Sequence, residues 1–362
     1  MDFNNRKLKV CMIVQDPSVK GGIAAVTGGY YGSRLEEDID ITYVESYCDG
    51  SKFKKLIKAL KAYRTFRKVL KNNPPDIVHV HSSFGPSFFR KYPIIHMAYK
   101  KKIPVVNHIH GSALKEHYLD APNWKKRMVE KSYGECARLI VLSKEWQEKL
   151  SVIVPFEKIC VVPNYSKIFK ETVSEESINK RFEKKQILYL GRFDALKGVS
   201  DIPAIASKVR ESGLPANFVV GGDGEKEPVL SNIDKLNVAD IVSLPGWITG
   251  EKKDALLRES AIFLLPSHME AMPMSILEAM GYGLPIVSCD VGGIPQVVQK
   301  DINGKLYTPG DTDKMAEGII SYLSDLNLYR EASKKSLEIA DNNYSFEAHI
   351  NKLEDIYRQV LN

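Results

Sequence analysis

The sequence predicts an α/β protein built from two doubly wound domains, and three observations carry that prediction. Short β-branched runs alternate with helical stretches, and the alternation occurs twice. The two series are separated by "PNYSKIFKETVSEESINKRFEKKQ", which is polar and poor in aliphatics. At 362 residues and 44 % hydrophobic, the chain is larger than one core ordinarily organises. Near-continuous apolar strands separated by helices mean parallel sheets covered on both faces. The expected organisation is a domain at 1–165, a second at 166–344, and a helix at 345–362 directed back toward the first.

Taken in order, the first strand is "LKVCMIVQ", followed by "DPSVKGGIAAVTGG", in which Gly21-Gly22 opens a helix as phosphate-type loops do. A glycine pair is also simply a turn. After "DITYVE" comes 51–73, with nine Lys/Arg and no acid, and with Phe53, Leu56/Ile57, Leu60, Tyr63 and Phe66 at helical spacing. Such a basic amphipathic helix suits an anionic membrane surface; the plainer alternative is a core-facing helix with a solvated face. "DIVHVH" and "PVVNHI" carry His79/His81 and His108/His110, each pair on one strand face. "RLIVL" and "ICVV" complete the first series.

The second series opens with "QILYLGRFDALKG", which places Arg192 and Lys197 beyond the carboxyl end of a strand, where open α/β sheets bind ligands. Two cations there suit a diphosphate leaving group. "ANFVVG", "IVSL" and "AIFLL" follow, and then "HMEAMPMSILEAM". Pro273 fits the first position of a helix from about Met274 to Met280, ended by Gly281 and Gly283. The N–H groups of Met274 and Ser275 offer a phosphate site. Glu278, one turn along, leans toward the same end and can accept hydrogen bonds from ribose hydroxyls. Glu270 is left for the far end of the diphosphate. The plainer alternative has Glu270 capping the helix and Glu278 pairing with a neighbouring cation. "LPIVSC" and "GKLY" are the last strands, and the final helix puts Phe346, Ile350, Leu353, Ile356/Tyr357 and Val360 on one stripe.

Composition excludes several classes. No stretch approaches the roughly 18 apolar residues of a membrane span, and the N-terminal apolar run is too short for a secretory signal, so a cytoplasmic location is expected. Five scattered cysteines without C-x-x-C spacing fit reduced thiols, and the sequons at Asn164 and Asn343 are then expected to stay unmodified. Net charge is +6, yet residues 1–163 hold 28 Lys/Arg against 16 Asp/Glu while the remainder holds 23 against 29. No nucleic-acid motif accompanies the basic half. Neither "GGIAAVTGG" nor "GGDGEKEP" is a dinucleotide fingerprint.

Gly191-Arg192 with Lys197-Gly198, Glu270-x7-Glu278, "AMGYGLPIVSCDVGGIPQVV" and "NGKLYTPGD" together resemble the retaining GT-B glycosyltransferases of family four. The resemblance is close over about 120 residues of the second domain and looser in the first. It implies two Rossmann-like domains facing a cleft, a UDP- or GDP-sugar co-substrate and a glycan or lipid-linked acceptor, as in bacterial polysaccharide synthesis at the inner membrane face. Carried over by position, Arg192 and Lys197 hold the diphosphate, Met274 and Ser275 N–H a phosphate, and Glu278 the ribose, while Glu270 contacts the transferred sugar. Gly22 corresponds to a glycine loop over the donor phosphates and His110 to a histidine beside the donor sugar. No metal is required by that scheme, and Asp38-Ile39-Asp40 and Asp311-Thr312-Asp313 read as structural. The family usually has glycine where Ala271 or Pro273 stands. The competing reading is a metal-dependent hydrolase using His79, His81, His108 and His110.

Overall fold

Each aliphatic run becomes a parallel strand. The computed structural model describes residues 2–3, 6–111 and 113–361, and the chain divides into two units, Met1–Asn164 with His349–Asn362, and Tyr165–Ala348.

The first unit carries strands β1 (Asp2–Phe3), β2 (Arg6–Val14), β3 (Ile39–Glu45), β4 (Ile77–Ser82), β5 (Val105–Ile109), β6 (Arg138–Val141) and β7 (Ile159–Val161). Its helices are α1 (Gly22–Gly28), α2 (Arg34–Asp38), α3 (Lys52–Asn72), α4 (Pro86–Lys100), α5 (Asn123–Gly134) and α6 (Lys144–Leu150). The sheet runs β3-β2-β4-β5-β6-β7 with every pair parallel, and the two-residue β1 lies antiparallel on β2. Strand order reverses between β2 and β4. Cys11, Met12, Ile13 and Val14 of β2 are fully buried, as the continuous apolar run requires of a strand covered on both faces.

The second unit carries α7 (Glu175–Lys184), β8 (Gln186–Phe193), α8 (Ile202–Glu211), β9 (Asn217–Gly224), α9 (Glu227–Lys235), β10 (Val242–Gly246), α10 (Gly250–Glu259) and β11 (Ile262–Leu265). It continues through α11 (Met274–Gly281), β12 (Ile286–Cys289), α12 (Ile294–Val297), β13 (Gly304–Tyr307), α13 (Thr312–Ser324) and α14 (Leu326–Tyr344). Its sheet order is β10-β9-β8-β11-β12-β13, all parallel. The chain moves outward from β8 in one direction and from β11 in the other. Doubly wound sheets open their ligand crevice at such a reversal, beyond the carboxyl ends of the two strands. Asp311 caps α13 by accepting from Lys314 N–H, a structural use of the Asp311-Thr312-Asp313 run.

The last helix, α15 (Phe346–Leu361), buries His349, Ile350, Leu353, Ile356 and Tyr357. Its stripe is carried into the first unit from His349 onward.

Helix α3 departs from the core-facing alternative along its first half. Phe66, Ala59 and Ala62 are buried, whereas Phe53, Leu56, Ile57 and Leu60 point outward, with Phe53 71 % exposed. The reason is length. Its 21 residues span about 31 Å, while the six residues of β4 cover about 20 Å, so the helix overhangs its sheet. Pro273 also differs, standing just ahead of α11 as its extended cap residue.

Candidate functional site

The reversal point of the second sheet brings Lys197 and Glu270 together. Lys197 ends a short turn after β8, where Asp194 caps Ala195–Lys197 by accepting from Lys197 N–H at 3.1 Å. Glu270 lies in the turn after β11. Lys197 Nζ donates to Glu270 Oε1 at 2.6 Å, and Ser267 Oγ donates to the same oxygen at 3.0 Å. Glu270 is 7 % exposed, so its charge is held by a cation and a hydroxyl in a nearly closed setting.

Three glycines make this approach possible. Gly198 has φ +61, and a Cβ there would fall 2.0 Å from the Pro266 carbonyl oxygen. Gly292 has φ +56, and its Cβ would fall 1.8 Å from the Glu270 carbonyl oxygen, while one on Gly293 would fall 2.0 Å from that of Ala271. The turn holding Glu270 is therefore clamped between the loop after β8 and the loop after β12. No side chain fits at either interface.

Beside Glu270, α11 begins at Met274 with no side-chain cap on its first turn, so Met274 and Ser275 present backbone N–H groups there. Arg192 extends from the end of β8 with a side chain 70 % exposed and Asp194 3.8 Å away. Glu278 accepts from Lys253 Nζ of α10 at 2.9 Å, both side chains being partly exposed. The plainer alternative for Glu278, a neighbouring cation, is thus present in the structure. That for Glu270 is not, because its partners are Lys197 and Ser267 rather than the helix end. Sequence reasoning missed Ser267 and Lys253. Gly292-Gly293 lay within the quoted "AMGYGLPIVSCDVGGIPQVV" but carried no assigned role.

In the first unit, Gly22 is the first residue of α1, and the Gly21 before it is extended with nothing within 4 Å of a Cβ placed on it. His110 directly follows β5, and its Nε2 lies 3.0 Å from His81 Nδ1. Register pairs His81 with His108, so the two H-x-H runs share one sheet face. The rings of His79 and His81 stack at 4.3 Å and those of His108 and His110 at 4.2 Å. Helix α15 covers them. Tyr357 Oη lies 2.5 Å from His79 Nδ1, and His349 donates from Nδ1 to the Pro163 carbonyl while accepting from Tyr30 Oη at 2.7 Å. Burial pushes His79 and His110 down to about 3 and His349 to about 4, and it holds His81 and His108 well below the ordinary histidine value. All five are neutral at pH 7.

Ring nitrogens of His79, His81 and His108 lie within 4.8 Å of one another, so these are the residues that could share a cation among those described. All three are 0 % exposed, and the group includes neither carboxylate nor thiolate. With all three side chains buried, the group is closed to a substrate in solvent.

Two family models match: Glycosyltransferase Family 4 over residues 24–165 and Glycosyl transferases group 1 over residues 170–338. Between them they take in most of both units. The chain is a GT-B glycosyltransferase. The enzyme is 25 % identical over 368 residues to an uncharacterized 41.2 kDa protein in the cps region of Klebsiella pneumoniae, covering 94 % of this chain and 97 % of that one. It is 27 % identical over 348 residues to the UDP-Gal:alpha-D-GlcNAc-diphosphoundecaprenol alpha-1,3-galactosyltransferase of Escherichia coli, covering 90 % and 86 %. Among solved structures it is similar in fold to sucrose-phosphate synthase from Thermosynechococcus elongatus, with a TM-score of 0.78 at 16 % identity, over 98 % and 99 % of the two chains. These matches give no support to the hydrolase reading of the histidines.

Proposed function

We propose that the enzyme moves a sugar from a UDP- or GDP-linked donor to a glycan or lipid-linked acceptor, with retention of anomeric configuration, in bacterial polysaccharide assembly. The observation that carries this reading is the Lys197–Glu270 pair at the reversal point of the second sheet, beside the uncapped start of α11. Arg192, Lys197 and the N–H groups of Met274 and Ser275 neutralise the departing diphosphate, so no metal ion is required. Glu278 takes the ribose hydroxyls, with Lys253 orienting its carboxylate. Glu270 meets the transferred sugar, while Gly22 and His110 of the first unit serve the donor phosphates and sugar. The names of the relatives support the substrate class, one being encoded in a cps region and one using UDP-Gal with a diphosphoundecaprenol-linked acceptor.

A lipid-linked acceptor is met at a bilayer. No helix among the described residues is long and apolar enough to cross a membrane, and the contact proposed here is a peripheral one. Residues 51–73 support it through nine cations and the outward Phe53, Leu56, Ile57 and Leu60. The test is a panel of nucleotide sugars with proton NMR of the product. Turnover of a UDP- or GDP-sugar giving a product of the donor's own anomeric configuration is expected. No turnover of any nucleotide sugar, or an inverted product, contradicts the reading.

A further inference from the structure

Arg90 lies in the second turn of α4, half-buried, with its Nε enclosed and without a hydrogen-bond partner. Burial lowers its guanidinium from the ordinary arginine value, and the groups that oppose this are two tyrosines, Tyr47 and Tyr63, rather than an acid. Taking a cation out of water without a counter-charge is costly. The arrangement calls for a reason.

The ring of Tyr47, two residues beyond β3, is centred 4.7 Å from Arg90 Cζ, and the Lys55 amine of α3 approaches the same ring at 5.4 Å. Both partners are fixed. Tyr63 Oη of α3 donates to the Arg90 carbonyl at 3.0 Å, while the Tyr47 carbonyl accepts from Asp16 N–H at 3.0 Å and its hydroxyl donates to Asp49 at 3.3 Å. The acids nearby are engaged elsewhere. Asp16 and Glu45 share the amine of Lys58, and Asp49 also accepts from Lys20 N–H at 3.2 Å. Neither Nη of Arg90 is enclosed, so the outer edge of its fork is open to a ligand.

A guanidinium held flat on an aromatic ring presents parallel N–H groups in the geometry that matches a carboxylate or a phosphate. A second cation beside it adds to the attraction. Tyr47 and Asp16 lie just beyond the carboxyl ends of β3 and β2, and Asp49 holds the loop that leads to Gly22. The sheet runs β3-β2-β4-β5, so three strand spacings, about 14 Å, separate this spot from His110 beyond β5. An anion bound here is therefore a different part of the acceptor from a hydroxyl that reacts beside His110.

We propose that Arg90, with Tyr47 and Lys55, reads an oxyanion of the acceptor, either the diphosphate that joins its glycan to a carrier or the carboxylate of an acidic sugar. This rests on the acceptor reading proposed above and deepens it, since it requires the acceptor to be anionic about 14 Å from the hydroxyl that is glycosylated.

The Nε–H of Arg90 reports on its own site. In isotope-labelled enzyme its resonance is the one missing from Arg90→Lys, and it is followed by NMR during titration with sodium pyrophosphate, sodium glucuronate and, at matched ionic strength, sodium chloride. A saturable shift with one or both of the first two, and none with chloride, is expected; the tighter of the two identifies which part of the acceptor is read. In Tyr47→Leu the half-saturating concentration should rise about threefold or more. No saturable shift with either anion, an equal shift with chloride, or an unchanged affinity in Tyr47→Leu overturns the site. Hydrolysis of nucleotide-sugars by the wild type needs no acceptor and, measured alongside, reports separately on the enzyme reading.

Discussion

Acidification should unfold the first unit well before carboxylate chemistry begins. His79 and His110 are pushed from 6.5 to about 3 and His349 to about 4, in each case chiefly by burial. A folded-state value below the unfolded one means that this stability is complete above about pH 6.5 and is lost as pH falls toward the folded value. At pH 5 each unfolded imidazole has taken a proton that its folded counterpart refuses, about 1.5 pH units below its midpoint, which costs about 2 kcal/mol per histidine. Three histidines remove roughly 6 kcal/mol between pH 7 and pH 5, and His81 and His108 shift in the same direction. A domain's whole stability is about 5–15 kcal/mol. Asp16, drawn down to about 2 by Ser18 and then Lys58, contributes only at lower pH. Urea unfolding followed by near-UV circular dichroism at pH 7, 6 and 5 should show stability falling by about 4 kcal/mol per pH unit near pH 5, the signature of about three protons. A midpoint that does not move between pH 7 and pH 5 would refute the neutral buried stack.

Further outcomes follow from the same structure. Gly198→Ala, which sets a Cβ against the Pro266 carbonyl at positive φ, should cost at least about 1–2 kcal/mol and weaken donor binding. Gly21→Ala, where a Cβ meets nothing, should change stability by less than about 0.5 kcal/mol; equal effects in denaturant titrations would contradict the clamp. Burial lowers the Lys91 amine to about 7 beside Ser46. That stability contribution is missing at pH 7 and returns toward pH 10, so Lys91→Met should raise the melting temperature at pH 7 and flatten the rise above it. A lower melting temperature at pH 7 would show that the amine's partners outweigh its desolvation. Transfer should survive EDTA, and loss of activity restored by Mg²⁺ or Mn²⁺ would show that Arg192, Lys197 and the α11 N–H groups do not suffice.

Much of the fold was legible because buried parallel strands declare themselves as continuous aliphatic runs. "DIVHVH" reads as β4 and "AIFLL" as β11 despite very different polar content. The two-residue β1 has no period to detect. In α3 the periodicity gave the faces but not the overhang, since one stripe can be buried at Phe66 and exposed at Phe53 when the helix outruns its sheet. The candidate site was legible where chemistry and punctuation coincide, as at Lys197 and Glu270. Lys253, 25 positions from Glu278, and the convergence of Tyr30, His349 and Tyr357 on the histidine strands are products of topology that no local pattern encodes.

The central claim is that the second unit binds a nucleotide-sugar through Lys197 and Glu278 around the start of α11. Calorimetric titration of UDP and GDP, paired with sugar transfer, tests it most directly on the wild type, Lys197→Met and Glu278→Ala. One nucleotide should bind the wild type, Lys197→Met should abolish transfer while still melting in one cooperative transition, at a lower temperature because Glu270 loses its buried cation, and Glu278→Ala should weaken nucleotide binding by about tenfold or more. Wild-type binding and turnover by both variants would contradict the account.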